Sequence, residues 1–161
     1  MKKLKTVNIK GKDYVEVHER LKFFREVYPE YTLDTQTIEK TEDTVMFKAV
    51  ILNEQGRIIA SGHAEERRGS SFINKTSYVE NCETSATGRA LAFLGFISDG
   101  IASAEEVSTA IMQQDKKIQT ALKELEAVSH KGSYQEWLSK NKAMLGDLKI
   151  KNPIAYTTFM G

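Results

Sequence analysis

The sequence has a single cysteine, Cys82, among its 161 residues. A lone thiol cannot close an internal disulfide, and no second cysteine is present for a zinc site built from thiolates. Cys82 lies on the apolar face of a predicted helix, which favours a buried structural thiol over a reactive one. Its chemistry is therefore expected to be that of a small core residue.

Long apolar runs are also missing, and no segment is long enough to cross a bilayer. The basic start of the chain, residues 1–5, is not followed by an apolar stretch or a small-residue cleavage site, so export is not predicted. We therefore expect a cytoplasmic protein with no membrane contact.

Charge of one sign is not in excess, because 23 lysines and arginines face 22 acids and the formal net charge is +1. The net charge therefore does not indicate nucleic-acid binding, and any surface that binds nucleic acid must come from local segregation of charge. A composition of 40% hydrophobic and 28% charged residues is ordinary for a folded globular chain. The length allows one domain with a helical appendage.

Catalytic motifs are scarce: no HExxH, P-loop or GxGxxG pattern occurs. His63, Glu65 and Glu66 stand close in sequence, but on a strand His63 and Glu65 share a face while Glu66 points away. His18 and His130 are expected to have no local acidic or thiol neighbour that would make a site. We read all of these as solvated or satisfied side chains.

Two carboxylates on the central predicted helix, Glu80 and Glu83, lie three residues apart and could together hold Mg²⁺ or act as an acid. Surface charges that pair with Arg or Lys at a subunit contact are the favoured interpretation. The sequence thus predicts no catalytic residue, no metal and no cofactor, and a protein that is not an enzyme.

Three β-rich segments, at 31–38, 45–52 and 57–65, are joined by short polar connections that suit hairpins. They predict an antiparallel β-meander of three or more strands, with Val45, Phe47, Ala49 and Ile51 on one face. A short strand is predicted at 6–9. Asp13 is predicted to cap a first helix, with Glu16 in a capping box and Pro29 ending it.

A long helix is predicted at 76–94, with Gly88 inside it and Gly95 as its C-cap. Gly88 costs about 1 kcal/mol against Ala in a helix, which suggests close packing against another element. The predicted apolar face consists of Val79, Cys82, Ala86, Ala90, Phe93 and Ile97.

Helices are predicted throughout the C-terminal third. A capping box, Ser103 to Glu106, opens a helix that carries one apolar stripe: Val107, Ile111, Ile118, Leu122 and Leu125. A second box, Ser133 to Glu136, is predicted to open a final short helix. The fold class is therefore α+β, a meander packed by a long central helix at 1–102, with a helical extension and tail at 103–161.

The order of strands followed by a small-residue helix ending in Gly-Phe resembles the phage single-strand annealing proteins, the Erf-like recombinases and their relatives among recombination mediators. The resemblance covers roughly residues 13–107 and is carried by ETSATGRALA at 83–92, by Gly95-Phe96 and by SAEE at 103–106. It implies a homo-oligomer, a ring or a filament, that binds single-stranded DNA in a continuous groove and anneals strands without a cofactor. A phage nuclease or a host replication protein would be a further partner, in the cytoplasm of a bacterial host.

Basic and aromatic side chains flank a Gly-Ser loop, an arrangement suited to gripping phosphates while bases stack on rings. From the residues alone, a solvated loop with Phe72 and Tyr78 in the core is the favoured interpretation, and only the resemblance favours the functional one. Arg89 could reach a phosphate or pair with an acid of a neighbouring subunit. The DNA-binding candidates are Arg67, Arg68, Lys75, Arg89, Lys48, Phe72 and Tyr78.

Two other functions stay open at this point. One is a replication-type protein that coats single strands without annealing them. The other is an oligomeric adaptor without nucleic acid, in which the C-terminal helices and the apolar tail dock a protein partner.

Overall fold

A computed structural model describes residues 4–128 and 131–160, and it confirms the α+β class with a helical C-terminal part. In chain order the elements are β1 (Val7–Ile9), β2 (Lys12–Tyr14), α1 (Val17–Val27), β3 (Thr32–Lys40), β4 (Thr44–Leu52), β5 (Ile58–Arg67), a 3₁₀ turn (Ile73–Lys75), α2 (Tyr78–Phe93), α3 (Ala104–Gln114), α4 (Lys116–Glu126), α5 (Lys131–Lys151) and α6 (Pro153–Met160).

These elements form two compact units. The first unit holds residues 1–7 and 13–106, and the second holds residues 8–12 and 107–161. Strands β1 and β2 make a two-stranded sheet, and β3, β4 and β5 make a three-stranded one. No helix among the described residues is long and apolar enough to cross a membrane.

The three-stranded sheet is the predicted antiparallel meander, with β4 at its centre. Successive side chains of a strand alternate between faces, so every second residue of β4 turns towards α2. These residues are buried in one apolar cluster with Cys82, Ala86 and Ala90 of α2: Val45, Phe47, Ala49 and Ile51. The predicted core face of β4 is confirmed.

Two glycines allow α2 to pack closely on both sides. A Cβ on Gly62 of β5 would stand 2.4 Å from the backbone nitrogen of Ala90, and one on Gly88 would stand 2.6 Å from Cγ2 of Val17 in α1. Real Cβ atoms do not approach so closely, so both contacts require glycine. The close packing predicted from Gly88 is confirmed, and its partner is α1.

Gly95 ends α2 as predicted. It adopts a φ of 112°, its N–H donates to the carbonyl of Ala92, and the N–H of Phe96 donates to Leu91, which is the Schellman arrangement. The predicted apolar face is wrong at its C-terminal end, because Phe93 and Ile97 are 54% and 45% exposed. Phe96 is the aromatic residue that enters the core there.

The predicted start of α1 is wrong. Asp13 lies in β2, and the N-cap residue is Glu16, whose side chain makes no capping hydrogen bond. Instead the Glu105 carboxylate accepts from the N–H of Val17, at 3.0 Å and 3.3 Å to its two oxygens. A distant acid thus satisfies a free N–H of the first turn and places negative charge at the positive end of the helix.

Arg20 is fully buried in the first unit, although its charge predicts a solvent-facing position. Its guanidinium donates to three backbone carbonyls: Gly88 at 2.8 Å, Ile101 at 3.0 Å and Ala102 at 3.1 Å. Burial lowers its pKa, while the Glu106 and Glu105 carboxylates act in the opposite direction. Arg20 therefore fastens α1 to α2 and to the segment that follows α2.

The capping box at Ser103 and Glu106 is confirmed, because each residue's backbone N–H donates to the other's side chain. The stripe predicted beyond it is divided between α3 and α4. Asp115 separates them, since its carboxylate accepts from the N–H groups of Lys117 and Ile118 and so begins a new helix.

The second unit has its own apolar cluster, built by α3, α4, α5 and α6 around Trp137. Helix α5 begins at Lys131, so Ser133 lies inside it and the predicted short final helix is wrong. The apolar tail forms α6, and Phe159 stacks on Trp137 with the ring centroids 5.9 Å apart. The tail therefore packs within its own chain.

Candidate functional site

The candidate site of the first unit is the segment from Arg67 to Lys75, which we call the basic–apolar loop. It leaves the end of β5 and leads through the 3₁₀ turn into α2. Arg67, Arg68 and Lys75 are exposed, and so are Phe72 (44%) and Ile73 (47%). Three cations and two apolar side chains thus reach solvent within nine residues of chain.

A buried asparagine, Asn74, holds this loop in place. Its Nδ2 donates to the Glu66 carboxylate and to Oγ of Ser70 (2.8 Å), and its Oδ1 accepts from Nδ2 of Asn81 (2.9 Å). Its backbone carbonyl accepts from the N–H of Gly69 at 2.9 Å. Asn74 therefore connects β5, the loop and the first turn of α2. The sequence does not reveal this role, because a single asparagine in a loop belongs to no periodic pattern.

Glu66 turns towards this asparagine and is half-buried, while its neighbour Glu65 is exposed. Burial raises the pKa of Glu66, the hydrogen bond from Asn74 lowers it, and the charge of Glu106 raises it. The prediction that Glu65 and Glu66 point to opposite faces agrees with this placement.

Arg68 is held on Tyr78 and on the neighbouring hairpin. Its guanidinium lies 4.4 Å from the centroid of the Tyr78 ring, and Nη2 donates to the Tyr78 hydroxyl at 3.1 Å. Its Nε donates to the carbonyl of Glu42 at 3.3 Å. Tyr78 is 5% exposed and belongs to the core, so its ring offers no face to a base.

Arg67 and Lys48 share the face of the sheet that is turned away from α2. Lys48 of β4 pairs with His63 of β5, whereas Arg67 of β5 pairs with Thr44 of β4. Thr44 precedes Lys48 by four residues, which separates the two pairs by roughly 13 Å along the strands. Glu65 lies between them on β5, opposite Met46. Lys48 is half-buried and shares this face with Arg67, but it does not adjoin the basic–apolar loop.

Arg89 is not gathered with the loop. Its guanidinium pairs with Glu106 of the same chain at 3.4 Å, and about a third of its side chain is exposed. Glu83 accepts a hydrogen bond from the Thr35 hydroxyl on β3, while Glu80 is exposed. Neither acid forms an ion pair among the described residues.

His18 does have acidic neighbours, contrary to the sequence-based interpretation. Its Nε2 lies 3.2 Å from Glu19 and 4.0 Å from Glu16, and Glu16, His18 and Glu105 each bring one ligand atom within 4.8 Å of the others. Such a group could hold a cation, although similar exposed groups are common without one. The side chain of His18 is 55% exposed. His130 lies outside the described residues.

The thiol of Cys82 on α2 is buried against two strands, β4 and β5. Its Sγ lies 3.3 Å from the carbonyl of Val45 and 3.3 Å from that of Ala64. Burial is the main cause that raises its pKa above the ordinary value. Because the thiolate is the reactive form, this environment fits the predicted structural role and opposes nucleophilic chemistry.

Comparison with known families finds a match over part of the chain. Residues 21–94 match the model of a family described as Slr1353 N-terminal dsRNA-binding domain-like. The match runs from within α1 through the three-stranded sheet to the end of α2, and it includes the basic–apolar loop, Lys48 and Arg89. It covers slightly less than half of the chain and suggests a nucleic-acid-binding domain. Neither the curated proteins nor the solved structures yield a match.

Proposed function

We propose that this protein binds single-stranded DNA and promotes the annealing of complementary strands in phage-type homologous recombination or replication. The family match over residues 21–94 carries the nucleic-acid part of the proposal. The exposed cations and apolar side chains of the basic–apolar loop lie within that match and support it. The annealing step rests on the resemblance of residues 13–107 to the phage annealing proteins.

The chemistry at the loop suits single strands. Arg67 and Lys75 would contact phosphates, and Phe72 would stack on a base, a contact that every base can make. Arg68 would contribute charge from its fixed place on Tyr78. Such a surface reads no sequence, and this is what annealing of arbitrary complementary strands requires. The process breaks and makes no covalent bond, so the proposal includes no enzymatic activity.

Side-by-side assembly into a ring or filament is part of the same proposal. The three-stranded sheet ends on β3 and β5, and an edge strand offers unpaired backbone groups to a neighbouring chain. Pairing of such edges would place the basic–apolar loops of successive subunits along one continuous surface. Sedimentation or light scattering with and without oligonucleotide would show an assembly that grows on DNA, and a strict monomer in both states would contradict it.

Two exposed arginines at opposite ends of β5 give a matched test. Arg67→Ala should weaken binding of an oligothymidine and make its salt dependence shallower by about 0.7 for one lost phosphate contact. Arg57→Ala removes the same charge next to the β4–β5 turn and should leave both quantities unchanged. Equal losses in the two variants would remove the loop from the site.

Two exposed phenylalanines test the stacking contact in the same way. Phe72→Ala should reduce affinity for single strands by about 1–3 kcal/mol, the usual effect of removing one base–aromatic stack. Phe93→Ala, on α2 and 54% exposed, serves as the control. Annealing itself is measured as the rate at which complementary labelled strands pair. A protein that binds without raising this rate would be a strand-coating protein.

A second candidate, binding of duplex RNA, is favoured by the description of the matched family. Proteins that recognise duplex RNA contact its shape, its phosphates and its 2′-hydroxyl groups rather than splayed bases. This candidate therefore predicts that Phe72→Ala has no effect and that a double-stranded RNA outcompetes an oligothymidine. Binding to neither nucleic acid, with a stable oligomer, would favour the adaptor function instead.

A further inference from the structure

Charge is strongly segregated between the two units. The second unit, residues 8–12 and 107–161, carries ten lysines, no arginine and five acids, so its formal net charge is +5. The first unit carries 13 lysines and arginines against 17 acids, a net charge of −4. The near-neutral net charge of the chain is thus the sum of a basic second unit and an acidic first unit. A polyanion would be attracted to the second unit more than to the first.

Four of these lysines line one cleft of about 660 Å³ within the second unit. Its polar lining consists of Lys10, Lys117, Lys140, Lys151, Asp115, Asp147, Asn141 and Asn152. The apolar lining comes from α3, α4 and α5 and contains no aromatic residue. We call this the lysine cleft. Four cations against two acids leave it with a positive balance.

The acids neutralise only part of the cleft. Lys151 pairs with Asp147 at 3.2 Å, and Lys140 pairs with Glu124 at 2.6 Å. Asp115 is occupied in capping α4. Lys10 and Lys117 are exposed and form no ion pair among the described residues. Two cations of the cleft are therefore available to an incoming anion.

Lys10 is placed at the cleft by an unusual backbone. It has a φ of 50°, in the left-handed region that non-glycine residues rarely adopt, and its N–H donates to the carbonyl of Lys151 at 3.0 Å. This hydrogen bond ties the turn between β1 and β2 to the end of α5. Lys10 and Lys151, far apart in sequence, are thereby held in the same cleft.

Asn152 adds a donor without an acceptor. It is 1% exposed, and its Oδ1 accepts from the N–H of Ala155 at 3.3 Å. Its Nδ2 is buried and has no hydrogen-bond partner among the described residues. A buried donor in this condition is uncommon in folded proteins, and a phosphate oxygen has the acceptor chemistry that it lacks.

We propose that the lysine cleft is a second nucleic-acid contact, which binds the phosphate backbone of single-stranded DNA. This inference rests on the proposed function and adds to it a source of the positive charge that binds the phosphate backbone. Because the cleft has no aromatic lining, it would hold phosphates without stacking bases. Its contribution would be independent of sequence and sensitive to salt.

A membrane surface is a different class of polyanion and fits the unit less well. Most of its large apolar side chains, including Trp137 and Leu148, are buried in the unit's own cluster. Ile150 and Met160 are exposed, but neither of them lines the cleft. Binding to a lipid surface requires an apolar face that can enter the headgroup region. Anionic vesicles are accordingly included in the test as a competing partner.

The test uses the full chain and two matched double variants. Lys10→Gln with Lys117→Gln removes the two unpaired cations of the cleft. Lys116→Gln with Lys123→Gln removes two exposed lysines of the same unit that do not line it. Circular dichroism and thermal unfolding establish that both variants fold. Binding of an oligothymidine is then followed by anisotropy over a series of salt concentrations.

The cleft variant should bind several-fold more weakly at low salt, with a salt slope shallower by about 1.4, or about 0.7 for each of two lost phosphate contacts. The control variant should keep the wild-type slope. Equal losses in the two variants would show an effect of net charge alone and overturn the assignment to the cleft.

The remaining outcomes separate this inference from the proposed function. If Arg67→Ala weakens binding and the cleft variant does not, the proposed function stands and the second contact is overturned. If the wild-type protein binds no oligonucleotide, the proposed function fails and the inference fails with it. Lysine-dependent binding to phosphatidylserine vesicles, with no change in oligonucleotide affinity, would assign the cleft to a lipid surface instead.

Discussion

Gly88 of α2 lies directly against Val17 of α1, so that a Cβ on the glycine would stand 2.6 Å from Cγ2 of the valine. The helix keeps an unfavourable residue there because the contact allows α1 to approach it. The same approach brings the guanidinium of Arg20 to the carbonyl of Gly88. One position therefore supports both an apolar and a polar contact between the helices.

Gly88→Ala is expected to destabilise the protein even though alanine is the better helix former. The intrinsic gain of about 1 kcal/mol is outweighed by overpacking of typically 1–3 kcal/mol. Chemical unfolding measures the balance. Gly146→Ala in α5 is the control, because its Cβ would meet nothing within 4 Å and should raise stability by roughly 0.5–1 kcal/mol. A gain at both positions would contradict the close contact.

Asn74→Ala is expected to loosen the basic–apolar loop and to cost about 2–3 kcal/mol, because the half-buried side chains of Glu66 and Asn81 lose their hydrogen bonds to it. Asn81→Ala removes only one contact of the same group and should cost less. Unfolding curves give the free energies, and limited proteolysis around residues 68–73 reports on the loop. Equal protease resistance in the wild type and the Asn74 variant would show that the asparagine does not order the loop.

Glu66 should make stability depend on pH. Its pKa is higher in the folded protein than its ordinary value of 4.5, so the stability it contributes is complete below that value and is lost as the pH rises through the folded pKa. Glu66→Gln should therefore flatten the decline in melting temperature over that interval. Glu65→Gln, an exposed neighbour, should leave the decline in place. Identical profiles for the wild type and the Glu66 variant would refute the buried position.

Cys82 should not react in the folded protein. Its thiol is buried and its pKa is raised, so a thiol reagent such as dithionitrobenzoate should label it only after unfolding in urea. The wild-type protein in native buffer and in denaturant is its own control. Rapid stoichiometric labelling in native buffer would contradict the packing of α2 on the sheet.

Local patterns in the sequence predict much of this fold. Alternation identifies β4 and the side of it that packs on α2, and the glycine after α2 marks the end of that helix, because both features depend on neighbours in sequence. The capping box at Ser103 is of the same kind. Asp115 also carries a local signal, an N-cap residue between two periodic segments, which divides the stripe predicted as one helix.

The wrong predictions arise where contacts between residues far apart in sequence determine the structure. Leu21 of α1 is apolar yet 36% exposed, while the charged Arg20 beside it is fully buried. Three carbonyls from remote segments make that burial favourable, and no pattern within α1 reveals them. Asp13 resembles an N-cap, but it lies in β2 and Glu105 takes the capping role.

The candidate site shows the same division. Composition is sufficient to single out the basic–apolar loop, but it does not show that Tyr78 is buried or that Arg68 is held against it. The order imposed by Asn74 depends on Glu66 and Asn81, which come from different elements. The segregation of charge emerges only when residues 8–12 are grouped with the C-terminal helices, a consequence of the fold.

The most direct test of the account is an anisotropy titration of a labelled oligothymidine, its DNA duplex and a double-stranded RNA of equal length, each at two salt concentrations. The account predicts the tightest binding to the single strand, weakening as salt rises. Absence of binding to all three at low salt would contradict its central claim and leave the adaptor function, whereas a preference for the RNA duplex would transfer the claim to the second candidate.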